Sequence, residues 1–402
     1  MIGGWVMSTG YRRRHRGGSR RRLAVLLGAL LLVSGCVSRR QRLSVGGSDE
    51  IVVWADPATW EIYSPDLEEI WQRIVWTPRD ENVFTLRRVD LDSWGGLFNR
   101  YRNMVLCAAL DSGTPAATMI RQFITPEAQQ SIRERGEGVH FVRADIWATD
   151  QLILIITAPD ALRLLEYLQR NRNELWRLME ERYNQRVSRL LFRQGEEFNL
   201  ERRLYRDWGF VVRVPWDYRL DDSRGPESFV RMINYIPERL FFAWWAPLDS
   251  LEARGLGWLR QVEEIGRGQA EGRNPDPDEL DRLGQEAMNL RDTVTREFYD
   301  RDAVVRLRTT ASVADFNGRW ALRLYGLWKN DEKVVGGALV TYCFLDPASR
   351  RIWWLDGALF APEMTRKEIY VRRLDMLLRT FMTGEEAESY MADPRGAARA
   401  ER

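Results

Sequence analysis

Short apolar blocks and longer stretches of helical periodicity alternate along this chain. Residues 50–54 form a strand pattern closed by the turn pair Asp56-Pro57. Residues 64–74 read as a helix, with Ser64 as cap, Pro65 at the first helical position and Asp66, Glu68 and Glu69 in the first turn. Residues 83–89 alternate as a strand. Residues 103–110 are an unbroken apolar run, the mark of a central strand buried on both faces. Thr125-Pro126-Glu127 opens a helix that runs to about Arg135, and residues 151–157 are a β-branched strand. Thr157-Ala158-Pro159-Asp160 then starts a long helix, capped by Thr157 and directed towards Arg193 and Gly195. Leu164, Leu168, Leu175, Met179, Tyr183 and Val187 belong to its apolar stripe.

The second half repeats the alternation. Residues 198–208 read as a helix, and 209–214, 229–235 and 240–246 as strands. Residues 255–277 hold Gly266, Gly268, Gly272, Pro275 and Pro277, which predicts a loop-rich, mobile surface segment. Asp276 and Pro277 cap a helix with Leu283, Ala287, Leu290 and Val294 inward. Four strands follow, at 304–310, 320–328, 334–344 and 352–360, and the turn Asp346-Pro347-Ala348-Ser349 makes the last two a hairpin. Thr365-Arg366-Lys367-Glu368 is a capping box for a final helix that stops at Gly384.

Strands with interspersed helices and a terminal meander give an α+β fold, with mixed or antiparallel sheets packed against long amphipathic helices. Both halves end in an apolar strand, Ala-Pro and a long helix (Thr157-Ala158-Pro159 and Phe360-Ala361-Pro362), which hints at two related halves. The expected division is a signal peptide at 1–35, a flexible tether at 36–49, an N-terminal α/β half at 50–195, a C-terminal α+β half at 196–384 and a frayed tail at 385–402.

The N-terminus adds chemistry. Arg12, Arg13, Arg14, Arg16 and Arg20 to Arg22 precede an apolar run at 23–33. That run is shorter than the roughly 20 apolar residues a membrane span needs and suits a signal h-region. It ends in Val33-Ser34-Gly35-Cys36, which resembles the lipobox of bacterial lipoproteins. The resemblance implies acylation of Cys36, a lipid bilayer as partner and a lipid-anchored protein of the cell envelope. Val37-Ser38-Arg39-Arg40, with no Asp after the cysteine, implies delivery to the periplasmic face of the outer membrane.

Charge changes once that leader is set aside. Residues 1–35 carry seven Arg and no acid, so the rest sits at −5 against +2 for the whole chain. A mildly acidic body lacks the basic footprint of a nucleic-acid binder. Lys occurs only at Lys329, Lys333 and Lys367 among 60 basic residues, a bias that reflects genome composition. Beyond Cys36, Cys107 and Cys343 lie in apolar runs and read as buried free thiols, although an oxidising compartment would permit them to pair. No CxxC or Cys/His spacing is present, so no metal and no cofactor is expected. His140, the one histidine after the leader, lies in a strand pattern and reads as a strand-face side chain.

Several motifs occur in an ordered series: Glu50 to Asp56 with Trp60; Arg102 to Leu106; Phe210 to Arg213 with Pro215 and Tyr218; Gly326-Leu327-Trp328; Gly336-Gly337; and Asp356-Gly357 with Phe360-Ala361-Pro362 and Lys367. In order and spacing they resemble the domain-of-unknown-function family 4837, envelope lipoproteins typical of Bacteroidota, over most of residues 50–382. Ala338-Leu339 stand where that family tends to have Pro-Phe, and Asp356-Gly357 where it often has Glu-Gly. The resemblance implies a lipoprotein without an established activity. Arg323, Trp328, Gly336, Gly337, Asp356 and Lys367 are the candidate ligand- or partner-binding residues, expected to converge at one end of the hairpin. Gly336-Gly337 reads first as a β-bulge, and mid-strand Asp356 as an acid salt-bridged to an arginine. Seventeen Trp raise a carbohydrate reading, with one residue each of Trp244-Trp245 and Trp353-Trp354 facing outward. The functional expectation is a non-catalytic binding or assembly protein that meets an envelope protein or glycan. The alternative is a carboxylate-based hydrolase, with Asp56 and Glu61 or Asp90 and Asp92 as carboxylate pairs.

Overall fold

The structure is a computed structural model that describes residues 42–90, 98–222, 228–298 and 301–396. The signal peptide, Cys36 and Asp92 lie outside the described residues. The chain divides into two compact units: residues up to 72 with 84–179, and residues 73–83 with 180 onward. The division at 179/180 falls inside a helix and ahead of the expected boundary at 195/196.

In chain order the first part carries β1 (Glu50–Trp54), α1 (Pro57–Trp71), β2 (Ile74–Val75), β3 (Glu81–Asn82), β4 (Thr85–Val89), β5 (Asn103–Ala109), α2 (Pro115–Phe123), α3 (Pro126–Arg135), β6 (Val139–Ala144), β7 (Leu152–Ala158), α4 (Ala161–Arg170) and α5 (Arg172–Leu191). Five strands form a mixed sheet in the order β4-β1-β5-β7-β6. β1 runs parallel to β4 and β5, β5 parallel to β7, and β6 antiparallel to β7. Every residue of β5 and β7 is buried, as two-sided coverage of a largely parallel sheet requires.

Helix starts in this unit differ from the expected ones. Asp56, not Ser64, caps α1: its carboxylate accepts from the Thr59 N–H at 2.9 Å, Pro57 takes the first helical position and Pro65 lies inside the helix. Asp160, not Thr157, caps α4, while the Thr157 hydroxyl stays in the sheet and donates to the Ala108 carbonyl at 2.8 Å. The long helix breaks at Asn171 into α4 and α5. The expected tether is fixed from Leu43 onward: Leu43 bridges Thr149, Val45 bridges Tyr101, and the Asn103 amide donates to the Ser48 carbonyl.

The second unit holds the hairpin β2–β3 and then α6 (Phe198–Trp208), β8 (Phe210–Val211), β9 (Arg219–Asp222), β10 (Phe229–Tyr235), β11 (Glu238–Pro247), α7 (Leu259–Ala270), α8 (Pro277–Phe298), β12 (Ala303–Phe316), β13 (Arg319–Asn330), β14 (Val335–Asp346), β15 (Arg351–Phe360), α9 (Glu368–Leu378), β16 (Met382–Thr383) and α10 (Gly384–Ala392). Its sheet has seven strands in the order β12-β13-β14-β15-β11-β10-β9, antiparallel throughout. The two sheets are therefore connected differently, and the shared strand–Ala-Pro–helix pattern is not one topology repeated. The fold class is α+β, with one mixed and one antiparallel main sheet and two small two-stranded ones, β2-β3 and β8-β16.

One face of the seven-stranded sheet packs Phe242, Trp244, Leu339, Cys343 and Trp354 against Leu259 and Val262 of α7 and Leu283, Ala287 and Val294 of α8. On the other face, Trp353 meets Phe381 edge-on at 4.8 Å and Phe210 at 5.2 Å. Because both faces are covered, Trp244, Trp245, Trp353 and Trp354 are all buried, and none offers an outward indole.

Three further expectations change here. Residues 259–270, expected as loop, form α7: a Cβ on Gly266 would lie 2.1 Å from the Trp320 indole, so this glycine admits a packed ring rather than a turn. The expected frayed tail is helical over Gly384–Ala392, with Ala387 and Tyr390 buried. The Thr365 capping box does not form. Instead, the Glu81 carboxylate from β3 accepts the Lys367 N–H at 2.9 Å and the Glu368 N–H at 3.0 Å.

Two outcomes follow from this packing. Gly266→Ala is expected to destabilise the second unit by about 1–3 kcal/mol, as overpacking does; a loop glycine would show almost no change in urea unfolding followed by tryptophan fluorescence. Glu81→Ala should cost about 1 kcal/mol, the scale of a lost helix cap, read as earlier amide exchange in α9.

Candidate functional site

The six residues singled out from the sequence do not converge. β15 alternates, so Trp354, Asp356 and Ala358 face α7 and α8 while Trp353, Leu355 and Gly357 face α9. Asp356 is fully buried. Its carboxylate takes the Arg291 Nε at 2.7 Å and Nη2 at 3.2 Å from α8, and the Thr341 hydroxyl at 2.7 Å from β14. The acid is thus salt-bridged, as its mid-strand position required. Trp328 is core: its Nε1 donates to the Leu359 carbonyl at 3.3 Å.

Gly336 and Gly337 form no bulge, because the β13–β14 ladder pairs Trp328 with Gly337 and Lys329 with Gly336 without a shift. A Cβ on Gly337 would stand 1.7 Å from the Leu359 carbonyl oxygen, so the glycine admits the backbone of β15. Lys367 is buried at the start of α9, where its ammonium donates to the Met364 carbonyl. Trp328, Gly337, Asp356 and Lys367 are therefore spoken for by packing and internal bonds.

Arg323 leads elsewhere, to the α9 face. Its Nη2 donates to Asp375 at 2.8 Å, and the Tyr342 hydroxyl donates to the other oxygen of the same carboxylate at 2.7 Å. Burial opposes the Asp375 charge, but Arg323 and Arg379 hold the carboxyl below its ordinary range. Two turns earlier in α9, Glu368 accepts Arg372 Nε at 2.6 Å and the Tyr183 hydroxyl at 2.8 Å. Arg372 Nη1 reaches on to the Asn184 side chain of α5 at 2.7 Å. Burial works against the Arg372 charge, and Glu368 and Glu180 more than restore it.

That network backs a groove of about 600 Å³. Glu181, Asn184, Gln185 and Ser188 project into it from one stripe of α5, at the spacing that puts residues on one helix face. Phe192, Arg213 and Met376 form the floor, and Arg189 completes the lining. The Arg213 guanidinium lies 4.1 Å from the Phe192 ring centre and grips both oxygens of Glu196, at 2.8 and 3.1 Å. The groove thus offers amide and hydroxyl groups over a partly apolar floor, held in place by buried ion pairs. Sequence reading missed it because its residues belong to one helix stripe of ordinary polar residues. The only available signal was the density of Arg and Glu on α5 and α9.

Residues 199–380 match the family model of a domain of unknown function (DUF4837). Residues 44–192 match a second, also a domain of unknown function (DUF8532). The resemblance expected over most of residues 50–382 is thus confined for DUF4837 to residues 199–380, and residues 44–192 match another model. No curated protein matches the chain. Of the groove residues, Arg213 and Met376 lie inside the DUF4837 segment, while those of α5 lie inside the DUF8532 segment or at its end.

Other expected sites resolve as structural. His140 is buried on β6, its Nδ1 2.7 Å from the Tyr167 hydroxyl; burial lowers its basicity and Glu174 partly offsets that. Cys107 and Cys343 are both free and buried. Asp56 serves α1 and also accepts the Ala116 N–H at 3.2 Å, and Asp90 pairs with Arg88. Among the described residues, no group of three or more His, Cys, Asp or Glu could hold a metal ion, and no helix is long and apolar enough to cross a membrane.

Removing one partner of the buried pair tests its weight. Asp356→Asn is expected to lower the unfolding free energy by about 3–5 kcal/mol, because Arg291 keeps its charge without its counter-ion. Asp356→Leu combined with Arg291→Met should recover most of that loss in the same urea titration.

Proposed function

We propose that this protein is a lipid-anchored protein of the cell envelope that binds an envelope polymer in the α5–α9 groove without turning it over. The acyl anchor is Cys36, and the place of action is the periplasmic face of the outer membrane. The observation that carries the binding reading is the commitment of the charged groups around the groove. Glu368, Asp375 and Glu196 are each held by an arginine, so they brace the wall and do not face the ligand. The groove is lined by the Asn184 and Gln185 amides, the Ser188 hydroxyl, the Glu181 carboxylate and the Arg189 and Arg213 guanidinium groups, a set suited to hydrogen-bonding a glycan or a peptide backbone.

The alternative, a carboxylate-based hydrolase, needs two carboxyls facing one cleft at roughly 5–9.5 Å. Glu196 and Glu201 are the nearest candidates, since both approach the Tyr390 hydroxyl. Both side chains are buried, however, and Glu196 is engaged by Arg213.

Purified peptidoglycan sacculi supply glycan and peptide together. The protein is expected to co-sediment with them and to release no soluble fragments, and Gln185→Trp should weaken co-sedimentation by about tenfold, the effect of filling a pocket. Soluble fragments that vanish in Glu181→Gln would instead establish hydrolysis. For the anchor, Cys36→Ala is expected to lose fatty-acid label and leave the membrane fraction; label and membrane association retained in that variant would remove the lipoprotein reading.

A further inference from the structure

Behind the groove lies a cluster with more negative charge than its surroundings can answer. Glu201 of α6 is fully buried, and its carboxylate accepts the Val214 N–H at 2.8 Å and the Tyr390 hydroxyl at 3.0 Å. The same hydroxyl lies 3.5 Å from Glu196 Oε2, and Glu196 is the carboxylate that grips Arg213. The ionisable groups that bear on Glu201 are thus Glu196 from the segment before α6, Arg213 from the segment after β8, and Tyr390 from α10.

With both carboxylates ionised, one guanidinium faces two anions out of reach of water. Two nearby carboxylates cannot both ionise cheaply, so Glu201, the one without a cation of its own, keeps a proton. The cluster also joins two places. Tyr390 and Ala387 dock α10 on Val211, while Arg213 is part of the groove floor.

We propose that Glu196, Glu201 and Tyr390 form a proton-operated latch that ties α10 to the floor of the groove. While Glu201 keeps its proton, Tyr390 stays seated and Arg213 stays over Phe192. Loss of that proton sets two anions against one arginine. Moving α10, which is held by few buried side chains, is the cheapest relief. The device stands on this cluster and is independent of what the groove binds.

Burial, with Glu196 adding to it, pushes the Glu201 carboxyl up from 4.5 to about 7. The folded state therefore holds the proton where the unfolded chain has released it. The stabilisation is full below pH 4.5, falls as the pH rises to about 7, and is flat above.

The test is hydrogen exchange on the full chain between about pH 5.5 and 8.5, corrected for intrinsic exchange. Protection of residues 384–392 is expected to fall by about tenfold across that range, together with residues 186–192, while β14 holds. Glu201→Gln should abolish the step. Tyr390→Phe removes the hydroxyl that ties α10 to the two carboxylates, so the step should disappear from residues 384–392. A flat profile for α10 in the natural sequence overturns the latch, and so does a step that survives in Glu201→Gln. Should Glu201→Gln fail to fold, a step that persists in residues 384–392 of Tyr390→Phe overturns it as well.

Discussion

A carboxylate with no exposure to water, in the middle of a seven-stranded sheet, sets the terms for the second unit. Asp356 needs a cation that can reach it and enough hydrogen bonds to replace solvent. Arg291 supplies two bonds from α8 and Thr341 one from the neighbouring strand. The cost of leaving either charge alone fixes which turn of α8 lies over β15, and so the register of the apolar contacts made by Leu283, Ala287 and Val294 on either side. A buried ion pair adds little net stability compared with an apolar replacement.

The opposite face of the sheet uses the same chemistry at greater length. Arg323, Asp375, Tyr342 and Arg379 form one knot, and Arg372, Glu368, Tyr183 and Asn184 another. Arginine suits this arrangement because its planar fork bonds a carboxylate and a second acceptor while lying flat on a ring. The 57-to-3 preference for Arg over Lys, whatever its genomic origin, has thus been taken up in the interior. The consequence for the groove is rigidity: Asn184 and Arg213 reach it already bonded from behind.

Much of the architecture was readable because most elements here follow local rules. The strands at 103–109 and 229–235, the helices at 126–135 and 198–208, and the hairpin turn after Asp346 lie where period and punctuation put them. What was not readable depends on partners far away in the sequence. Ser64 and Thr365 have good local credentials as caps, yet Asp56 and the remote Glu81 do the capping. Gly266, Gly268 and Gly272 look like a loop until Trp320 is placed against Gly266. Alternating tryptophans predict one outward ring per pair only if a sheet face is bare, and here neither is. The candidate site suffered most. Conspicuous residues such as Asp356 and Gly337 turned out to be solutions to burial and close approach, while the groove is lined by inconspicuous ones.

Residues 73–83 lie early in the chain but pack with the unit that begins at Glu180. Glu81 waits for a helix 286 positions downstream before its carboxylate finds the Lys367 N–H. On a ribosome that makes protein from the N-terminus, this hairpin emerges with its neighbours in the first unit long before its own partner exists. Completion of the second unit is therefore a late, long-range event, of the kind that slows folding. The same interleaving means that no single cut separates the two units. A fragment covering 199–380 would end without Tyr390, Glu196 or Glu81, and so without the groups that finish α6, the groove floor and the start of α9.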